Sequence, residues 1–451
     1  MTEAHHFAEA LLPAGWAQGV RCELAGGRIA RVEPGAQPQP GDIRHAAALP
    51  GLPNLHSHAF QRGMAGLAER RGAGDDSFWS WRTVMYRFLD RLTPDHVLAI
   101  AAMAYVEMLE SGFTRVGEFH YLHHDPAGQP YAGAGMAGAV AAAAAESGIA
   151  LTLLPVFYAH AGFGGKAPEP AQRRFINDLD GYARLRETCA GALAPLVGAV
   201  LGCAPHSLRA VTPEELAALQ AMAPTGPFHL HIAEQHAEVD ACLAWSGARP
   251  LDWLLDHAPL DARWCLVHAT HAAPREVARI ATSGAVVGLC PITEANLGDG
   301  LFPARAFAEA SGAWGVGSDS NVLIDAAEEL RWLEYGQRLH HERRNVLASG
   351  PETSTGMALF RGALAGGAQA LGAEAGIAPG APADFVTLDA AHPAFAGARG
   401  EGWLDRWLFA ARGGGVDGVW RSGQQLVSGG RHRARDTVAR RFSAVMAELL
   451  A

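Results

Sequence analysis

Leu49-Pro50-Gly51-Leu52-Pro53-Asn54-Leu55-His56-Ser57-His58 reads as a buried strand that finishes with two imidazoles. Residues two apart on a strand share one face, so His56 and His58 point the same way. Two neutral imidazoles held side by side on a rigid strand end form half of a zinc-type site. In a chain with 21 histidines one such pair carries little weight, because hydrogen-bonded core or surface histidines give the same triplet. Its weight comes from matching residues downstream, each at the end of another apolar run.

Between about residue 49 and residue 375, short apolar runs alternate with segments of helical period, the pattern of repeated β–α units. The runs are Ala48–Leu55, Thr114–Glu118, Ile149–Phe157, Gly198–Ala204, Phe228–Ile232, Trp264–His268, Ala285–Leu289 and Ala313–Gly317. Helices follow most of them. In Asp95–Ser111, Ala101, Ala104, Tyr105, Met108 and Leu109 keep i, i+3, i+4 spacing, and Thr212 is placed to cap Pro213–Met222. Eight parallel strands with intervening helices predict an α/β fold, a (β/α)8 TIM-like barrel over residues 48–375. The flanks differ. Arg28-Ile29-Ala30-Arg31-Val32, Asp384-Phe385-Val386-Thr387-Leu388, and Val419-Trp420 to Val427 around a Ser-Gly turn read as short antiparallel strands. Residues 1–47 and 376–451 are therefore expected to build one small β-sandwich from both chain ends. The alanine run Ala141–Ala145 is a good helix.

The bulk numbers fit this plan. At 451 residues, 49% hydrophobic and 18% charged, the chain has ample material for a buried core. A formal charge of −10 speaks against nucleic-acid and anionic-membrane partners, and the Arg-rich stretch from Arg431 to Arg441 reads as a solvated helix face. Cys22, Cys189, Cys203, Cys242, Cys265 and Cys290 show no CxxC spacing, and several sit in apolar runs, which predicts free buried thiols. The N-terminus has no basic and apolar leader pattern and no apolar stretch is long enough to span a bilayer, so a cytoplasmic location without membrane partners is expected.

Barrel enzymes place their chemistry at the C-terminal strand ends. Here strand one ends in His56 and His58, strand five supplies His231 followed by Glu234, strand six ends in His268, and strand eight runs into Ser318-Asp319-Ser320. Each alone has a structural reading, such as a hydrogen-bonded core histidine or a capping aspartate. Four strands in the correct phase favour a metal site.

This ordered set resembles the amidohydrolase superfamily in its deaminase-like branch, over the barrel and both flanking segments. The resemblance implies that His56, His58, His231 and Asp319 ligate one divalent ion, zinc. Many superfamily members bind two ions through a carboxylated lysine on strand four. The only lysine here, Lys166, follows strand three in a Gly-rich loop, so one ion per chain is expected. Such an ion lowers the pKa of bound water from about 15.7 to about 7. His268 is then placed to orient the hydrolytic water, Asp319 to accept its proton, and Glu234 to carry a proton to departing nitrogen. Hydrolytic loss of ammonia from a carbon–nitrogen bond follows.

Within the superfamily the sequence is most similar to the formimidoylglutamate deiminase family. The stretches that carry this likeness are His56 to Arg62, Ser77-Phe78-Trp79-Ser80-Trp81-Arg82, Glu118-Phe119-His120-Tyr121, His206-Ser207-Leu208-Arg209-Ala210-Val211 and Thr293 to Gly300. It implies deimination of N-formimino-L-glutamate to N-formyl-L-glutamate and ammonia, in histidine degradation. The partner would be a small dicarboxylate amidine, and the resemblance implies a homodimer. Arg82 and Arg209 would pair with the two carboxylates, as bidentate guanidinium does; Gln61, Tyr121 and His206 would position the chain. Asn321 departs from the family's histidine after Ser-Asp-Ser, which puts a substrate contact there in doubt. The rival is another aminohydrolase of the branch, a guanine- or adenosine-type deaminase, for which the aromatic Phe78-Trp79-Ser80-Trp81 loop would stack a ring. A noncatalytic barrel is a third reading, opposed by the complete ligand set.

Overall fold

A computed structural model describes residues 3–70, 78–348 and 352–451. Its strands in chain order are β1 (Glu3–Leu12), β2 (Gly15–Ala25), β3 (Arg28–Glu33), β4 (Ile43–Pro50), β5 (Leu52–Ser57), β6 (Phe113–His120), β7 (Ala150–Phe157), β8 (Val200–Leu201), β9 (Ala204–Pro205), β10 (Phe228–Ile232), β11 (Trp264–His268), β12 (Val286–Leu289) and β13 (Ala313–Val316), followed by β14 (Phe385–Leu388), β15 (Val416–Arg421), β16 (Gln424–Ser428) and β17 (Arg431–His432). Strands β5 to β8 pair in parallel, as do β10 to β13. Parallel bridges join the two halves at both seams, Cys203 to Phe228 and Ser207 to His231 on one side and Ser57 to Asp319 on the other. That closure is the expected barrel.

Two of the expected strands are broken at glycines. The run Ala48–Leu55 divides at Gly51: β4 belongs to the chain-end sheet, pairing with β1 and β14, while β5 opens the barrel. A Cβ on Gly51 would lie 2.2 Å from the Thr114 side chain, so the chain passes between sheets only where there is no side chain. Strand four, expected over Gly198–Ala204, survives as the short β8 and β9 around Gly202, whose missing Cβ leaves room for Leu154. Helix α1 (Phe78–Leu89) contains the segment read as an aromatic loop; Ser77 lies outside the described residues. Helix α2 (Pro94–Ser111) is capped by Thr93, and Thr212 caps Pro213–Met222 in a reciprocal capping box with Glu215, as its position predicts.

The chain-end strands form a single eight-stranded sheet in the order β17-β16-β15-β14-β4-β1-β2-β3. It is not wholly antiparallel, since β1 and β4 run in parallel. The sheet curls until Arg28 bridges Pro382, with Ile29 N–H donating to Ala381 O at 2.9 Å, and encloses Phe7, Val20, Cys22, Ile29, Phe385 and Trp420. One curled sheet with its own core thus does the work of a sandwich. The Arg-rich stretch is less solvated than expected. It opens as β17, and the following helix Arg435–Leu450 packs on α2, with Val438 and Leu449 buried and Arg435 paired with Glu110 of α2 at 2.7 Å, while Arg441 pairs with Glu146 of the helix Gly135–Ser147 at 2.6 Å. All six cysteines are buried and free. Among the described residues no helix is long and apolar enough to cross a membrane.

Candidate active site

The site is assembled where the first and last barrel strands clasp each other. His58 N–H donates to Asp319 O and Asp319 N–H donates to His56 O, both at 2.9 Å, which brings three polar side chains from opposite ends of the barrel sequence to one point. His231 enters from β10. His56 Nε2 lies 3.3 Å from His58 Nε2 and 3.0 Å from His231 Nε2, and Asp319 Oδ1 lies 3.5 Å and 3.2 Å from the nitrogens of His56 and His58. The ligand atoms of all four residues fall within 4.8 Å of one another.

The hydrogen-bond pattern fits a cation there. His58 Nδ1 donates to Phe119 O at 2.9 Å and His231 Nδ1 to His206 O at 3.0 Å, so both Nε2 atoms turn lone pairs inward. His56 has at most one proton to share among two lone pairs and a carboxylate oxygen. A divalent ion at the centre satisfies all four groups at once. A zinc tetrahedron with arms of about 2.0–2.1 Å has edges of about 3.3–3.4 Å, and the observed spacings bracket that length. Burial also keeps the imidazoles neutral, as ligands must be: it drives His56 down to about 3, with His58 and His231 likewise below their ordinary values. Asp319 is buried too, yet its neighbours His56, His58 and His268 hold its carboxylate well below the usual range.

His268 stands beside the set. Its Nε2 is 3.7 Å from Glu234 Oε1 and 3.9 Å from Asp319 Oδ2, and its Nδ1 is 3.2 Å from Glu294 Oε1. Burial disfavours the charged ring, but the carboxylates of Glu234, Glu294 and Asp319 outweigh it and raise His268 to about 10. Glu234 moves up because it is buried, an effect that His268 and Arg209 partly offset. Backbone strain marks the same rim. Ala233, His268, Ala269, Asp319 and Asn321 all take left-handed φ between 43° and 70°, a conformation costly outside glycine and typical of sites that must aim side chains.

A cleft of about 640 Å³, counting its open mouth, lies over this cluster. It brings together the expected substrate-binding residues and the expected proton carrier: Gln61, Arg82, Tyr121, His206, Arg209 and Glu234 line it, and His56 sits fully buried beneath. Gln61 Nε2 donates to Tyr121 OH at 2.8 Å, while Gln61 Oε1 is a buried acceptor with no donor among the described residues. Arg82 Nε donates to Tyr86 OH at 2.8 Å. Arg209 Nε is a buried donor with no acceptor among the described residues.

Three supporting residues have roles that the sequence did not disclose. Glu118 on β6 accepts from Ala59 N–H at 2.8 Å and from Tyr105 OH at 3.1 Å, pinning the backbone that carries His56 and His58; burial pushes its carboxyl up to about 8. Glu294 is the acceptor for His268. Asn321 does not face the cleft: its amide donates to Ser57 Oγ at 3.1 Å and to Asp319 O at 3.0 Å, and its oxygen accepts from Ser318 Oγ at 2.6 Å. It braces the clasp, and asparagine tolerates the left-handed backbone required there.

Residues 47–426 match the family model described as Amidohydrolase family. The chain belongs to the amidohydrolase family. Residues 2–46 of this family member match the model for the N-terminal domain of formimidoylglutamate deiminase HutF. The chain is 51% identical to a formimidoylglutamate deiminase from Pseudomonas aeruginosa, over 98% of this chain and 99% of that protein. It is 55% identical to a crystal structure of an amidohydrolase from Brucella melitensis, with a TM-score of 0.97 and full coverage of both chains. A crystal structure of an adenosine deaminase from Xanthomonas campestris with bound zinc shares the fold at TM-score 0.81 and 22% identity, covering 99% of this chain and 97% of that one.

Proposed function

We propose that this chain hydrolyses N-formimino-L-glutamate to N-formyl-L-glutamate and ammonia, as a cytoplasmic enzyme of histidine degradation acting as a homodimer. The observation that carries the reading is the cleft's polarity: a converged His56, His58, His231 and Asp319 set at the floor, with Arg209 Nε in the wall, buried and without an acceptor among the described residues. The 51% identity to a protein of that activity supports it. His56, His58, His231 and Asp319 would hold one zinc ion, which would supply the Lewis acidity that makes water ionisable near neutral pH.

The side chains supply the rest. Arg209 and Arg82 bind the two carboxylates of the substrate, guanidinium being the side chain suited to carboxylate recognition. Gln61, Tyr121 and His206 hold the carbon chain, and Gln61 Oε1, which has no donor among the described residues, takes an N–H of the formimino group. His268 orients the attacking water and Asp319 takes its proton. Glu234, kept ready to hold a proton by its burial, protonates the departing nitrogen so that ammonia leaves as a neutral amine. A purine deaminase would need acceptors for a neutral ring where this cleft presents guanidinium groups. Ammonia release is measured for formiminoglutamate, formiminoaspartate and guanine in parallel. Turnover of guanine with none of formiminoglutamate refutes the proposal.

A further inference from the structure

Glu294 is a buried carboxylate outside the ligand set that the scheme above leaves unused. It sits early in the helix Pro291–Leu297, which follows β12 directly. Its Oε1 accepts two donors, the Cys290 backbone N–H at 3.0 Å and His268 Nδ1 at 3.2 Å. The two contacts differ in kind. The first satisfies a free N–H at the start of its own helix, which a glutamine oxygen would do equally well. The second crosses to the neighbouring strand β11 and fixes which nitrogen of His268 faces the reaction. With Nδ1–H committed to Glu294, Nε2 is directed at Glu234 Oε1 and Asp319 Oδ2, at 3.7 Å and 3.9 Å. A left-handed φ of 70° at His268 shows that the backbone is bent out of the strand at this residue, so the ring's aim depends on what its side chain meets.

We propose that Glu294 is a positioning residue: it holds His268 with Nδ1–H turned away from the cleft and Nε2 between Glu234 and Asp319. The catalytic consequence rests on the hydrolytic reading above, but the ring orientation does not. The test uses metal-replete wild type, Glu294→Gln, His268→Asn and the double variant, with metal content measured on each. Glu294→Gln is expected to keep its metal and a KM within about threefold, while kcat falls about 10–100-fold, by analogy with the loss on removing the hydrogen-bond partner of a metal-bound imidazole. In the His268→Asn background the same substitution should cost nothing further. A wild-type kcat for Glu294→Gln, or an equal loss in both backgrounds, overturns the proposal. Imidazole 15N–1H NMR provides the readout independent of substrate. The signal missing from His268→Asn should carry a strongly deshielded Nδ1 proton in wild type and shift in Glu294→Gln. If wild type turns over no formiminoglutamate, the functional reading fails while the spectrum still decides on Glu294. Should Glu294→Gln not fold, the wild-type spectrum alone decides, because a His268 without a proton on Nδ1 refutes it.

Discussion

Truncating Arg209 to methionine isolates the recognition half of the proposed mechanism. Methionine keeps much of the apolar stem and removes the guanidinium, whose Nε is buried without an acceptor among the described residues. The other cation, Arg82, already donates from its Nε to Tyr86 OH and stacks 5.1 Å above that ring. Arg209 is therefore the guanidinium held most clearly in reserve for a ligand. Removing one partner of a desolvated charge pair costs about 2–5 kcal/mol, which corresponds to a loss of about 30-fold to several thousand-fold in kcat/KM. Fold and metal content should survive, because Arg209 is not one of the four clustered ligand residues His56, His58, His231 and Asp319. Ammonia release is followed for formiminoglutamate and for its α-carboxamide, in wild type and variant. The amide should be poor in wild type yet suffer little additional loss in the variant, which no longer reads that group. If Arg209→Met discriminates acid from amide as sharply as wild type, Arg209 does not bind that carboxylate and the substrate assignment loses its main physical support.

Glu234→Gln should retain the metal and lose about 10²–10⁴-fold in kcat, because the amide keeps shape but carries no proton; near-wild-type turnover would make Glu234 structural. His56→Ala or Asp319→Ala should remove metal and activity together, read by elemental analysis, and about one ion per wild-type chain is expected. In the chain-end sheet, His5 Nδ1 and His45 Nε2 lie 3.0 Å apart, and burial pushes each ring down from 6.5 to about 4, opposed at His5 by Asp42 and reinforced at His45 by His5. The unfolded chain then binds protons that the folded chain refuses, so this contribution is intact above pH 6.5 and is lost as pH falls toward 4. Each ring accounts for at most about 3 kcal/mol. The thermal midpoint of wild type should drop across that window more steeply than that of His45→Gln; parallel curves would place the acid sensitivity elsewhere.

Much of the site was legible because barrel chemistry projects onto sequence in a regular way. His56, His58, His231, His268 and Asp319 each end an apolar run, and one rule, polar residues at C-terminal strand ends, collects them before any pairing is known. Period-two alternation also put His56 and His58 on one side, where their Nε2 atoms are found 3.3 Å apart. The misreadings share a cause. Gly51 and Gly202 interrupt apolar runs that look continuous in composition, because hydropathy records burial and not which sheet buries the residue. The strand run Ala48–Leu55 is buried throughout, first in one sheet and then in another.

What escaped the sequence was the set of supporting contacts that join residues far apart along the chain. Asn321 appeared to be a defective substrate contact, yet its amide bonds to Ser57, 264 positions away, beside the equally distant pair of Asn54 Nδ2 and Ser318 Oγ at 2.7 Å. These contacts exist only once the barrel closes, so no local window contains them. Glu294 illustrates the same limit from the other side. Within its own helix it already has a role, since it accepts from Cys290 N–H at the helix start. The second donor, His268, lies on the adjacent strand and is 26 positions away. A residue whose local role is already satisfied gives no sequence sign of a second one. The roles easiest to overlook in such a fold are therefore those of polar residues that already have a complete local explanation.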